Sequence, residues 1–216
     1  MKRVSFRGTS LSDLKAFPDP AKRRAGYQID KVQNGLDPDD WKPMDDIGAG
    51  VKEIRLKDTS GIYRVLYVAK FAETVAETDY VLHCFKKTTQ QTSKADKTLA
   101  TKRTKDLVQE LRTGVADMST FTSVWDAIED TPEQAENMKL RSALMQCIEA
   151  RIRAEGWSQH EAAKRFRVTQ PRVSDLMRGK IEKFTIDTLV NMVFASGLQV
   201  QLHVGTPELE PEMEPA

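Results

Sequence analysis

Long apolar runs are missing from this chain of 216 residues. None approaches the ~20 residues that cross a bilayer, and the N-terminus lacks the apolar stretch of a secretory signal. Cysteine is equally scarce. Cys84 and Cys147 stand far apart, each within an apolar run, which argues against a disulfide scaffold and for two reduced core residues of a cytoplasmic protein. The three histidines, His83, His160 and His203, are scattered, and neither cysteine has a companion at ligand spacing, so no metal is expected. There is no Gly-rich phosphate loop and no nucleophile elbow. No cofactor is expected either.

What the chain has is charge, unevenly placed. Residues 1–115 contain 22 Lys+Arg against 16 Asp+Glu, and residues 116–216 contain 11 against 16. A net of +6 is thus followed by a net of −5, which suggests a polyanionic target for the first half and attraction between the halves. The length suits two domains. The last stretch, "GTPELEPEMEPA", is acidic and Pro-rich, so residues 206–216 read as a disordered tail.

Helix punctuation is clear in the second half. Thr131, Pro132 and Gln134 open a helix that Gly156 ends, with Leu140, Leu144, Ile148 and Ile152 at helical spacing. Ser158 and Glu161 form a capping box for a short helix carrying Ala162, Ala163 and Phe166. Thr169 and Pro171 then open another, which Gly179 closes. Two short helices joined by a tight turn have the helix-turn-helix spacing. After Gly197, Leu198, Val200, Leu202 and Val204 alternate with polar residues, as in a half-buried strand. A lone strand needs a partner, so pairing with a second copy is expected.

The first half reads as helix, helix, three antiparallel strands, helix. The helices are "SLSDLKAFP" and "PAKRRAGYQIDKVQNG". The strands are "VKEIRLK", "IYRVLYVAKF" and "YVLHCFKK", the first two joined by a tight hairpin at Asp58 to Gly61 and the last two by a longer connection, "AETVAETD". Ser93 with Asp96 caps a Lys-rich last helix running to about Arg112. With strand period 2, Glu53 and Arg55 share one face, and His83, Phe85 and Lys87 share another. Arg64 on the middle strand completes a cluster between them.

Residues 3–110, through "WKPM…GAGVKEIRLK", "YRVLYVAKF" and "VLHCFKKTTQQTSKAD", resemble the RelE/ParE superfamily of bacterial toxins, in its phage-related HigB-like branch. Residues 139–196 resemble the XRE-type helix-turn-helix family, with Arg167 at a turn position where that family usually has Gly. The resemblance implies an α+β toxin domain at 1–112, a linker at 113–120, a mainly α antitoxin domain at 121–205 ending in a dimerising strand, and the tail. Many members of the toxin superfamily cut messenger RNA on the ribosome without a metal. The ribose 2′-OH attacks the adjacent phosphorus, so a base, an acid and cations are needed. That chemistry and the resemblance assign Arg55 and Arg64 to the phosphate, His83 or Glu53 as base, and Lys86 or Lys87 as acid or charge stabiliser. Phe85 and Lys94 are expected to meet RNA.

For the second half the resemblance implies that Gln170, Arg172 and Ser174, with Asp175 beside them, face base edges, while Gln159, Thr169, Arg178 and Lys180 touch phosphates. "MSTFTSVWDAIEDTPEQAENMKLRSALM" resembles the start of a separate antitoxin, with Met118 at its first position. In "FTSVWDAIED", Phe121, Val124, Trp125 and Ile128 form an apolar stripe suited to lie on the toxin. A fused toxin–antitoxin is therefore expected, with messenger RNA and operator DNA as partners. Two alternatives stay open: a regulator with an inert toxin-like module, and a gyrase inhibitor on the same fold.

Overall fold

The computed structural model describes residues 1–69, 78–88, 92–113, 120–201 and 204. The longer connection after the second strand, the linker with Met118, His203 and the acidic tail fall wholly or largely outside the described residues.

The first half is built on one sheet. Its strands are β1 (Arg3–Phe6), β2 (Trp41–Pro43), β3 (Val51–Asp58), β4 (Gly61–Val68), β5 (Thr78–Lys87) and β6 (Thr120–Phe121), in the order β2-β3-β4-β5-β1-β6. The three strands expected from the sequence form its centre as an antiparallel meander, Arg55 opposite Arg64 and Arg64 opposite Phe85. Three further strands extend the three or more that were expected, but β1 runs parallel to β5, so the sheet is not antiparallel throughout. Helices α1 (Ser10–Lys15) and α2 (Asp19–Gln33) cover the rear face, where Ile54, Leu56, Tyr63, Val65 and Cys84 point. Helix α3 (Lys94–Thr113) covers the front, packing Ala100 and Leu107 on Val51, Leu66 and Leu82. Ser93 and Asp96 cap it as anticipated.

The junction segment does not form one continuous amphipathic helix. Thr120 and Phe121 add to the free edge of β1 as an antiparallel strand, because an edge strand presents unpaired N–H and C=O groups that an extended segment satisfies. Ser123 then caps α4 (Val124–Ile128) with Asp126 as its capping-box partner. Val124, Trp125, Ala127 and Ile128 are all buried, with α4 against α2. Gln33, at the end of α2, ties this segment down: its amide donates to the carbonyls of Lys2 and Thr122, and its carbonyl accepts from the Val124 N–H.

The second half follows as α5 (Pro132–Ala154), α6 (Gln159–Phe166), α7 (Gln170–Met177), a 3-10 turn at Ile181–Lys183 and α8 (Ile186–Ala195). Thr131 and Ser158 cap α5 and α6 through their side chains as the sequence suggests. Ala162, Ala163, Val173 and Leu176 are buried where the helices cross. Arg167 takes φ 55 and is the one non-Gly residue with positive φ among those described, the conformation that Gly supplies most cheaply at a helix end. Leu198 to Gln201 are not paired as a strand in the single chain. Leu198 instead packs on the core, its N–H donating to the Val193 carbonyl. Among the described residues no strand pairs with this segment.

One hydrophobic core runs through both halves, from Phe6 and Tyr27 to Trp125, Met145, Ile148 and Phe184. Helix α2 sits at its centre, the rear of the sheet on one side and the second half on the other. Gly26 marks a close approach of α4 to α2. A Cβ there would lie 2.6 Å from Ile128 Cδ1 and 2.9 Å from the Trp125 ring. In an isolated helix Ala is preferred to Gly by ~1 kcal/mol. In the intact chain the clash dominates, so Gly26→Ala is expected to destabilise folding by about 1–3 kcal/mol. Urea unfolding of the full chain checks this, and a stabilised variant would contradict the packing of α4 on α2.

Candidate functional site

A cluster of cations stands on the front face of the sheet, around one buried carboxylate. Period-2 geometry brings Glu53, Arg55, Arg64, Phe85 and Lys87 to the same side, so the two faces assigned from sequence are one. Glu53 is 1% exposed. Arg64 Nε lies 3.2 Å and Lys42 Nζ 3.7 Å from its Oε1, and the Thr92 hydroxyl donates to Oε2 at 3.0 Å. Arg64 is buried as well and donates Nη1 to the Tyr63 carbonyl at 2.8 Å. Arg55, more exposed, pairs with Asp40.

Burial first, and neighbouring like charges second, act on the cations of this cluster. Burial lowers the Arg64 guanidinium from its ordinary value, and Arg55 adds to this against the opposing pull of Glu53. Lys87 is also lowered, by burial first and then by Arg64, with Lys42 and Arg55 contributing and Glu53 again opposing. Four cations facing one internal carboxylate make a surface suited to an anion such as a phosphodiester.

His83 is placed differently from a free base. It is 7% exposed, with Nε2 2.9 Å from Asp96 Oδ1, Nδ1 3.8 Å from Asp13, and its ring stacked on Phe85 at 5.0 Å. Lys86 points to the rear face, its ammonium 5.9 Å from the Tyr63 ring centre, and so stands apart from the cluster. Lys94 is exposed at the start of α3, on a helix face shared with Lys97, Lys102 and Lys105 that borders a groove of about 410 Å³. Sequence reasoning missed Lys42 and Thr92. Strand β2, which sets Lys42 opposite Glu53, is too short to show an alternation.

In the second half, α7 presents Gln170 at its exposed N-terminus. The Gln170 Nε2 donates to Gln159 Oε1 at 2.6 Å, which fixes the orientation of this exposed amide. Thr169 flanks the helix without a side-chain capping bond. Arg172 lies half-buried with its guanidinium 4.3 Å from the Phe184 ring centre. Ser174 is buried between Val173 and Leu176 and presents little surface to a groove. Burial opposes ionisation of Asp175, but hydrogen bonds from Lys180 and Lys183 outweigh it and hold its pKa below the usual carboxylate range. Arg178 and Lys180 line a cleft of about 870 Å³ between the halves, which Arg24, Arg55 and Lys57 share.

With this geometry established, residues 12–105 match the family described as Phage derived protein Gp49-like (DUF891). Residues 127–205 match one described as Helix-turn-helix domain. No curated protein matches the chain significantly. The chain is thus similar to a Gp49-like, phage-derived protein over residues 12–105 and to a helix-turn-helix domain over residues 127–205, an arrangement consistent with a toxin–antitoxin fusion or with a regulator. No helix among the described residues is long and apolar enough to cross a membrane.

Removing one member of a buried pair leaves the other charge uncompensated. Arg64→Met should therefore cost about 2–4 kcal/mol of stability. Glu53→Gln, which keeps shape and hydrogen bonding, should cost less, and the double variant less than the sum. Chemical unfolding of the three variants checks the order. Strict additivity would show that Glu53 and Arg64 do not act as a pair.

Proposed function

We propose that the chain is a fused toxin–antitoxin protein whose first half cleaves messenger RNA on the ribosome and whose second half both restrains it and represses transcription from operator DNA. The observation that carries this reading is the front cation cluster on a Gp49-like sheet, with a helix-turn-helix domain anchored to the rear of the same sheet. Arg55, Arg64 and Lys87 would hold the scissile phosphate, with Glu53 and Lys42 fixing Arg64 from beneath. The 2′-OH attacks phosphorus, loses its proton, and the 5′-oxygen leaves with a proton. Lys87, whose pKa is lowered, suits proton transfer. His83, tied to Asp96, suits orientation of Phe85 for base stacking.

Restraint would act from behind. The second half engages α2, α1 and β1, so it would obstruct docking on a large target rather than fill the cluster. A second copy, contributing through the exposed apolar residues Phe194, Val200 and Val204, would give the two-fold reader that a palindromic operator requires. The engagement of His83 and Glu53 also supports a second reading, a regulator whose first half binds without cutting.

Expression of residues 1–112 separates the two. The fragment should arrest bacterial growth and cleave translated messages. Arg64→Ala should abolish both effects, and co-expressed residues 118–216 should restore growth. Continued growth with soluble, folded fragment present would favour the regulator.

A further inference from the structure

The cleft between the halves joins two elements that neither half explains by itself. From the first half come Arg24 on α2 and the β3–β4 hairpin with Lys57 and Thr59. From the second comes the segment after α7, Arg178 to Lys183. These are fixed to each other. Arg24, 8% exposed, donates Nη1 to the Lys57 carbonyl at 2.8 Å and Nη2 to the Arg178 carbonyl at 3.4 Å. Gly179, at φ 63, sits so close to α2 that a Cβ would lie 2.6 Å from both Gln28 Nε2 and Tyr27 Cδ1. The hairpin therefore has a set position beside the end of the recognition helix.

From this placement we infer that duplex DNA seated on α7 also lies against the β3–β4 hairpin, so that Lys57 of the toxin-like half carries part of the contact to the DNA backbone. The inference rests on the DNA-binding reading of the second half. When a recognition helix enters the major groove, the flanking segments meet phosphates. The segment after α7 is such a flank, and the hairpin lines the same cleft.

Charge supports the same conclusion. Residues 116–205 carry 11 Lys+Arg against 12 Asp+Glu, so the reading half has little positive field of its own. Lys180 and Lys183 share Asp175, which offsets part of their charge. Lys57 is exposed at the cleft. The acids around it are engaged elsewhere: Asp40 by Arg55, Asp39 by Lys31 and Arg153, and Asp58 by Ser60. Burial raises the pKa of Glu182 above the usual carboxylate value.

The test uses the full chain and a duplex that it selects from a random-sequence pool. Affinity is measured by fluorescence anisotropy across a salt series for the parent chain, Lys57→Gln and Gln170→Ala. Because Arg24 bonds the Lys57 carbonyl rather than its side chain, Lys57→Gln should leave the interface intact. It should lower the slope of log Kd against log salt by ~0.9 per bound chain, the value for one lost phosphate contact. In a second arm, Thr59→Cys on a Cys147→Ser background carries a tethered iron chelate. It should cut the duplex backbone beside the site that α7 reads. An unchanged slope, or no tethered cutting, overturns the inference. If the chain selects no duplex, or Gln170→Ala binds the selected duplex unchanged, the DNA-binding reading beneath it fails instead, and the inference with it.

Discussion

The buried ion pair between Lys31 and Glu149 is the interaction on which this arrangement turns. Each side chain is almost wholly enclosed, and their charged atoms stand 3.1 Å apart across the junction of the two halves. Ions withdrawn from water cost several kcal/mol each unless geometry and hydrogen bonds compensate. Here they do. Tyr27 donates its hydroxyl to Glu149 at 2.6 Å, Asp39 takes a second bond from Lys31, and Arg153 reaches Glu149 from the rim. Burial nonetheless raises the Glu149 pKa, and raises that of Tyr27 well above its ordinary value. If the second half withdrew, Lys31 would lose its most buried counterion and α2 would expose an apolar face, so the halves hold together.

Around that pair the remaining contacts fall into an order. Asp30 accepts from Ser142 and Gln146, Arg23 makes a two-pronged contact with Glu129, and Trp125 fills the space that Gly26 leaves open. All of them use α2, the rear helix. The cations around Glu53 lie on the opposite side of the sheet, where α3 packs. This separation shapes the functional proposal. A partner that grips the rear leaves the front chemically intact, and release would yield a site already assembled. The same arrangement sets the end of α7 beside the β3–β4 hairpin, across one cleft.

Much of this was legible in the sequence because it is local. Capping residues Thr131 and Ser158 wrote the starts of α5 and α6, Asn34 and Gly35 the end of α2, and Arg167 stands where Gly is usual, in keeping with its φ of 55. Alternation along β3, β4 and β5 placed the cluster's residues on strands. Other features depend on pairing and were not legible. Strand β6 is two residues long and exists because β1 offers an open edge. Lys42 reaches Glu53 through a three-residue strand with no pattern of its own. The partners of His83 lie on α1 and α3, far along the chain. Burial of Ser174 reflects how α7 packs in this chain, which its family resemblance did not convey. The expected strand from Leu198 to Val204 lies partly outside the described residues, and its first residue, Leu198, packs on the core instead.

A double-mutant cycle on Lys31→Met and Glu149→Gln, read by urea unfolding of the full chain at pH 7, tests the central claim most directly. If the pair fastens the halves, each single variant should lose about 3–5 kcal/mol, as expected when one member of a buried pair is removed. The double variant should then recover most of the difference, giving a coupling of roughly 2 kcal/mol or more within the range for residues in contact. Unfolding should also remain a single transition. A coupling below ~0.5 kcal/mol, the additivity expected of independent sites, would contradict the account, as would two separate transitions in the parent chain.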